Sequence, residues 1–118
     1  IVEIERVATL VEKHGTRFLS RLFTEKELKY CLSHRFPSIR LAGRFAAKEA
    51  IVKAMGTGFR KDVTWLDIEI LNDSQGKPVV YFSSRLVEKM GQIDCMLSIS
   101  HCREYATSVA LLSVAKTT

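Results

Sequence analysis

The hydrophobic pattern in the first part of the chain predicts a short strand followed by helical segments. Residues 1–4 are compatible with β-structure and predict the end of a strand. Residues 5–14 carry apolar side chains at helical spacing, so they predict an amphipathic helix that stops at Gly15. Residues 16–23 are basic and aromatic and predict one or two further helical turns.

Two sharper helix signals follow. Thr24 and Glu27 form a capping box, in which each side chain satisfies a free backbone amide at the start of a helix, and this helix is predicted to run to about Ser33. Pro37 suits the first position of a helix because its missing N–H is not needed there. The next helix is therefore predicted to run from Pro37 to Met55.

The second half of the chain alternates between apolar and polar residues and predicts mainly strands. The predicted elements are a strand at 66–71, a turn at 72–77, a strand at 78–82, a helix at 83–90 and antiparallel strands at 95–101 and 104–114. Residues 116–118 are expected to be frayed. The resulting fold class is α+β, with helices packed on an antiparallel sheet.

Size and composition indicate one ordinary globular domain. The chain has 118 residues, of which 47% are hydrophobic and 26% charged. No apolar run approaches 18 residues, and no signal-peptide pattern is present, so neither a membrane span nor secretion is expected. Three cysteines without a C-x-x-C spacing favour reduced thiols in a cytoplasmic protein over a disulfide framework or a zinc site.

The formal net charge of +5 favours an anionic partner. Nucleic acid, an acidic protein and a phosphorylated ligand all satisfy this condition, and charge alone does not choose among them. An aromatic content of 8% without a clustered stacking platform weighs against binding of single-stranded nucleic acid.

The most informative candidates for chemistry are Glu49 and Lys53, which lie four residues apart on the predicted helix 37–55. In a polar cleft the carboxylate could hold Mg²⁺ and the ammonium could neutralise a phosphate. From spacing alone, an ordinary surface pair worth about 0.2–0.5 kcal/mol is the commoner interpretation. Gly56 is likewise explained most simply as a helix C-cap.

Two further groups of polar residues have both an ordinary and a functional interpretation. His101 ends a predicted strand, where a single histidine is more often a surface residue than a catalyst, and no triad or nucleotide-binding glycine motif accompanies it. Arg17 and Arg21 would share a helix face beside Phe18. Such a group is usually a solvated face, but it could also dock an acidic helix.

Taken together, these motifs resemble the bacterial-type holo-acyl carrier protein synthases, the small phosphopantetheinyl transferases, along nearly the whole chain. Four segments carry the resemblance: residues 1–6; 17–21 with 23–24; 42–50 with 53 and 56–58; and 67–70 with 76–78 and 97–101. The third segment, which includes Arg-Phe-Ala-Ala-Lys-Glu-Ala, is the most specific.

The resemblance implies a reaction and a set of roles. That family transfers 4′-phosphopantetheine from coenzyme A to a serine of acyl carrier protein, requires Mg²⁺ and releases adenosine 3′,5′-bisphosphate. It also implies a homotrimer with each active site between neighbouring subunits, and no nucleic-acid or membrane partner. By this resemblance, Glu49 is a Mg²⁺ ligand and Lys53 contacts a coenzyme A phosphate. Arg44 and His101 line the nucleotide pocket, with the turn of Gly56, Thr57 and Gly58 beside it. The residues that dock the carrier protein are Arg6, Arg17, Phe18 and Arg21. The group that deprotonates the serine stays open between a metal-bound water and a carboxylate.

The chain departs from the family pattern at one point. The family has an Asp immediately before the segment that starts at Ile1, and this Asp supplies a second carboxylate to the metal. Glu3 is a poor substitute because, in a continuing strand, its side chain faces the opposite side. Either native residues precede Ile1 or this version binds Mg²⁺ weakly. We expect the first, because the other motifs are intact, and we expect the 118-residue form to be much less active than an extended one.

Two other interpretations of the whole chain stand beside the transferase. One is a non-catalytic basic binding module for an acidic protein or nucleic acid, which would bind with steep salt dependence and would not need Glu49. The other is a structural relative within a larger synthase. The presence of Glu49, Lys53 and His101 together argues against the second of these.

Overall fold

The computed structural model describes residues 1–114 and confirms an α+β fold. The expectation for residues 116–118 lies outside the described residues. The elements are β1 (Val2–Glu3), α1 (Ile4–Leu22), α2 (Glu25–Leu32), α3 (Pro37–Met55), a 3₁₀ turn (Trp65–Asp67), β2 (Ile68–Asn72), β3 (Pro78–Phe82), α4 (Ser84–Met90), β4 (Ile93–His101) and β5 (Tyr105–Val114).

Local signals set the helix ends as predicted. Both halves of the capping box form, with the Thr24 hydroxyl accepting from the Glu27 amide and the Glu27 carboxylate accepting from the Thr24 amide. Helix α3 begins at Pro37 and ends before Gly56, whose φ of 80° is in the left-handed region that favours glycine. Gly15 breaks α1 with non-helical φ and ψ, but the chain then continues as helix to Leu22.

The strands form two antiparallel groups. One is a three-stranded sheet with the order β1-β5-β4, and the other is the hairpin β2–β3. The predicted start of the strand at residue 66 is wrong, because a 3₁₀ turn occupies Trp65–Asp67. This turn forms because the Asp67 carboxylate accepts hydrogen bonds from both the amide and the hydroxyl of Thr64.

Helix α3 is the central element of the fold. One apolar cluster joins it to α1 and α2 and includes Leu41, and a second joins it to the strands and includes Ile51. The helix approaches β4 closely at Gly43, where a Cβ atom would lie 3.0 Å from the Cγ2 atom of Ile99. Both faces of α3 are therefore packed along most of its length.

The three-stranded sheet has one packed face and one exposed apolar face. Residues of β4 alternate strictly between inward and outward positions from Ile93 to Ile99. On the outer face, Met96 pairs with Leu111 and lies next to Val109, and the three are 67–69% exposed. In the single chain this apolar surface faces solvent.

Candidate functional site

Glu49 and Lys53 lie on one stripe of α3 that borders an open groove. Their charged groups are 3.7 Å apart, and the side chains are 40% and 77% exposed respectively. The groove has a volume of about 190 Å³ and also includes Phe45, one turn earlier on the helix, and Ser108 from β5. The Glu49 carboxylate is thus held by a rigid helix yet is open to a ligand.

A second groove of about 340 Å³ meets the first at Glu49 and Phe45. Arg6 of α1 borders it, together with the apolar side chains of Val7 and Leu10. This arrangement brings a cation, a carboxylate and an apolar surface to one place. Of the residues expected to dock a carrier protein, Arg6 is therefore the one that the structure brings close to Glu49.

The other three docking candidates lie on the second half of α1. Arg17 and Arg21 are exposed, and their charges are available to an acidic partner. Phe18 is half-buried, packs on the apolar cluster beneath α1, and lies 5.3 Å from the His14 ring between centroids. Phe18 therefore contributes to the core as well as to the surface.

His101 lies in a different cleft. It ends β4 and borders a depression of about 280 Å³, which shares no lining residue with the Glu49 groove. The other residues that line this cleft are His34, Arg35, Phe36, Ile39 and Arg40. Sequence reasoning missed these side chains, although the basic residues between α2 and the first turn of α3 were a usable signal.

Arg44, expected in the nucleotide pocket, points into the protein. It is 4% exposed, and its Nη2 atom donates to the Oδ1 atom of Asn72. The guanidinium lies 4.3 Å above the Tyr30 ring centroid, which is a stacked cation–π arrangement. Its Nε atom is buried without a hydrogen-bond partner among the described residues.

The turn formed by Gly56, Thr57 and Gly58 closes the end of α3. The Gly56 amide donates to the Lys53 carbonyl, and the next two amides donate to the Val52 carbonyl. These N–H groups are therefore used by the helix end and are not free to cradle a phosphate. The Thr57 hydroxyl is buried without a partner among the described residues.

A buried ion pair between Lys48 and Glu27 is the largest feature that sequence reasoning missed. Both side chains are 0% exposed, and the Nζ and Oε1 atoms are 2.7 Å apart. The ammonium also donates to the carbonyls of Leu22 at 2.7 Å and Trp65 at 3.0 Å. Burial lowers the pKa of Lys48, although the charge of Glu27 opposes that shift.

Asp67 is a second carboxylate with a structural role. Burial alone would raise its pKa, but hydrogen bonds from the Ser83 hydroxyl, the Thr64 amide and Arg85 lower the pKa to about 2. Asp67 therefore remains charged across the neutral range. It joins the 3₁₀ turn to the start of α4.

Among the residues that the structure describes, the Glu49 groove offers a single carboxylate to a metal ion. Within residues 1–114, no three His, Cys, Asp or Glu side chains come together as a metal site. Mg²⁺, however, keeps several waters and needs only one or two carboxylates when a substrate phosphate completes its shell. A half-exposed carboxylate beside a lysine fits that requirement.

Across the described residues, no helix has both the length and the apolar character needed to cross a membrane.

Comparisons with known proteins identify the class. Residues 1–110 match the family model described as the 4′-phosphopantetheinyl transferase superfamily. The chain therefore belongs to this superfamily.

Within this superfamily, the chain is similar to several holo-[acyl-carrier-protein] synthases along most of its length. The chain is 52% identical, over 96% of its length and 93% of the relative's, to the holo-[acyl-carrier-protein] synthase of Protochlamydia amoebophila. The Neisseria meningitidis synthase structure has a TM-score of 0.86 and 34% identity, covering 95% of this chain and 92% of that one. The Helicobacter pylori synthase, solved in complex with coenzyme A, has a TM-score of 0.85 and 31% identity, covering 95% of both chains.

Proposed function

We propose that this protein transfers 4′-phosphopantetheine from coenzyme A to a serine of apo-acyl carrier protein and releases adenosine 3′,5′-bisphosphate. Membership of the superfamily and the similarity to holo-[acyl-carrier-protein] synthases support this reaction. The observation that carries it is the pair of adjoining grooves that share Glu49, one of which is bordered by Lys53 and the other by Arg6. Its charges suit a pyrophosphate and an acidic protein.

Glu49 is proposed as the residue that holds Mg²⁺, and Lys53 as the contact to a coenzyme A phosphate. When bound, Mg²⁺ supplies positive charge that neutralises the phosphate oxygens around the bond that breaks. The Lys53 side chain is 77% exposed, so its ammonium can move from the Glu49 carboxylate to a phosphate at little cost. The chain's own contribution is to hold these charges in fixed positions.

The carrier protein is proposed to dock on α1. Arg6 shares the groove with Glu49, and Arg17 and Arg21 extend the positive charge along the same helix. Phe18 supports this surface from below. An acidic carrier helix that met these arginines would bring its serine toward Glu49, and the charge complementarity would speed the encounter.

We also propose a homotrimer with a shared active site. The Glu49 groove and the His101 cleft are separate within one chain, so one coenzyme A that contacts both needs clefts from neighbouring copies. The His101 cleft, with Arg35 and Arg40, would bind nucleotide phosphate. The exposed Met96–Val109–Leu111 surface supplies an apolar face for assembly.

The assembly is tested by Leu111→Glu, with Gln75→Glu in the exposed turn between β2 and β3 as a charge-matched control. Burying a new carboxylate in the interface would dissociate the trimer, and transfer would fall with it. Light scattering is expected to give a trimer mass for the native chain and the control and a monomer mass for Leu111→Glu. A native chain that is monomeric and active would refute this part of the proposal.

The three free cysteines support a reducing compartment, so we propose a cytoplasmic location.

The interpretation that competes with the transferase is a basic module that binds an acidic protein without catalysis. The net charge of +5 favours it equally, and the following experiment separates the two.

The reaction is tested by intact-mass analysis of apo-acyl carrier protein incubated with the chain, coenzyme A and Mg²⁺. The expected result is a mass gain of one phosphopantetheine, lost with Glu49→Ala and retained with Glu88→Ala, an exposed control on α4. If the chain does not modify the carrier yet binds it with steep salt dependence, the binding module is the correct interpretation.

A further inference from the structure

The Lys48–Glu27 pair has a complete set of hydrogen bonds. A lysine ammonium has three protons, and Lys48 directs them to three acceptors: the Glu27 carboxylate and the carbonyls of Leu22 and Trp65. The same carboxylate accepts from the Thr24 amide and, through its other oxygen, from the Ile70 amide at 2.9 Å. All three protons of the Lys48 ammonium and both oxygens of the Glu27 carboxylate are therefore engaged in hydrogen bonds.

These partners come from five different parts of the fold. They lie at the end of α1, at the start and inside of α2, in α3, in the 3₁₀ turn and in β2. A single ammonium therefore ties α3 directly to the end of α1, to α2 and to the 3₁₀ turn, and through Glu27 to β2. An apolar side chain of similar volume would fill the space but would not select one rotation of the helix.

The rotation of α3 matters because Glu49 directly follows Lys48. Successive helical side chains are about 100° apart around the axis. When Lys48 is held inward by three hydrogen bonds, the direction of Glu49 toward the groove is set as well. Rotation of α3 about its own axis would leave a buried charge unpaired, so such a rotation is strongly disfavoured.

A second contact connects the pair to the groove. Phe45, which lines both parts of the groove, packs on the Trp65 ring with centroids 4.9 Å apart. The carbonyl of the same Trp65 accepts from Lys48. The 3₁₀ turn therefore holds both the ammonium and the aromatic wall beside Glu49.

We infer that the buried Lys48–Glu27 pair is a positioning device that sets the rotation of α3 and so aims the Glu49 carboxylate into its groove. Lys48 and Glu27 are positioning residues and do not touch the substrates. The catalytic consequence rests on the proposed function, whereas the placement of Glu49 can be measured without it.

The test separates stability from position with two variants. Lys48→Met alone leaves the Glu27 carboxylate buried without its partner, and the fold is expected to be strongly destabilised. Adding Glu27→Gln removes that lone charge and is expected to restore most of the lost stability. The control is Leu86→Ala, which opens a cavity in α4 and destabilises the chain without touching the pair.

For the double variant, assayed well below its melting midpoint, we expect kcat to fall about 100-fold while KM for the carrier protein changes less than about threefold. The Leu86→Ala control should keep kcat within about threefold of the native value despite its lower melting midpoint. A crystal structure superposed on β4 and β5 should show the Glu49 carboxylate displaced by about 1 Å or more.

Two results would overturn the inference. One is that kcat returns together with stability in the double variant. The other is that Glu49 keeps its native position. If the double variant does not fold, Lys48→Gln with Glu27→Gln replaces it, and the same criteria apply.

If the proposed function is wrong, the native chain itself transfers no phosphopantetheine. The inference about Lys48 and Glu27 is then decided only by whether the Glu49 carboxylate is displaced in the double variant.

Discussion

Helix α3 takes part in two lysine–glutamate pairs, one with Glu27 of α2 and one within itself, and the two differ in nearly every physical respect. Lys48 and Glu27 are completely buried, 2.7 Å apart and 21 positions apart in sequence. Lys53 and Glu49 are exposed, 3.7 Å apart and separated by one helical turn. The first pair is embedded in a hydrogen-bond network, whereas the second borders an open groove.

The difference shows how one helix can serve two purposes. A buried pair must stay together because a lone charge in the interior is very costly. An exposed pair contributes little to stability, so each member is free to exchange its partner for a ligand.

The largest expected effect comes from breaking the buried pair from the Glu27 side. Glu27→Leu leaves the Lys48 ammonium buried and removes the acceptor of the Ile70 amide, and we expect a loss of about 3–5 kcal/mol in the free energy of unfolding. Urea denaturation measures this change. The control is Glu25→Leu, an exposed position on the same helix, which should cost less than about 1 kcal/mol. Equal losses of unfolding free energy for Glu27→Leu and Glu25→Leu would contradict the distinction between the buried and the exposed carboxylate.

Asp67 sharpens the comparison as a buried carboxylate that is held by hydrogen bonds from Thr64 and Ser83 and by Arg85, with no lysine. Its pKa is about 2 when folded and near 3.8 when unfolded, so the folded state binds the proton less readily. Its stabilisation is present above about pH 4 and is lost as the pH falls toward 2. Asp67→Asn should cost about 1–3 kcal/mol at pH 7 and flatten this acid dependence, measured by denaturation between pH 2 and 7. An unchanged acid profile would show that other carboxylates govern it.

The smallest stability effect is expected for the exposed pair. Lys53→Met should change the free energy of unfolding by less than about 0.5 kcal/mol, because a surface pair is screened by water and salt. It should nevertheless raise KM for coenzyme A about tenfold, since a charge-assisted contact to phosphate is lost. Steady-state kinetics at low and high salt measure this. Lys26→Met, an exposed change on α2, is the control and should leave KM unaltered.

Local structure was largely predictable because its causes are local. The capping box of Thr24 and Glu27 and the glycine that ends α3 act within a few residues, and each boundary was found within one position. The 3₁₀ turn was missed because alternation in residues 66–71 looked like strand. The capping contact between Asp67 and Thr64 outweighed that weak preference.

The candidate site was only partly accessible to sequence reasoning. Glu49 and Lys53 were identified by spacing and resemblance, and the structure places both at one groove. Arg44 was expected beside His101 in a pocket, but it stacks on Tyr30 inside the fold. Its assignment to nucleotide binding stays a prediction, as do the other residue roles.

Sequence alone established the fold class, most helix and strand boundaries and the family resemblance, because these depend on periodicity, capping and short motifs. Tertiary structure alone joined Lys48 to Glu27 and separated the Glu49 groove from the His101 cleft. These relations depend on the rotation and packing of α3 among distant elements. A hydrogen bond between residues 21 positions apart has no signature in local pattern, since many packings satisfy the same periodicity and few satisfy a buried charge.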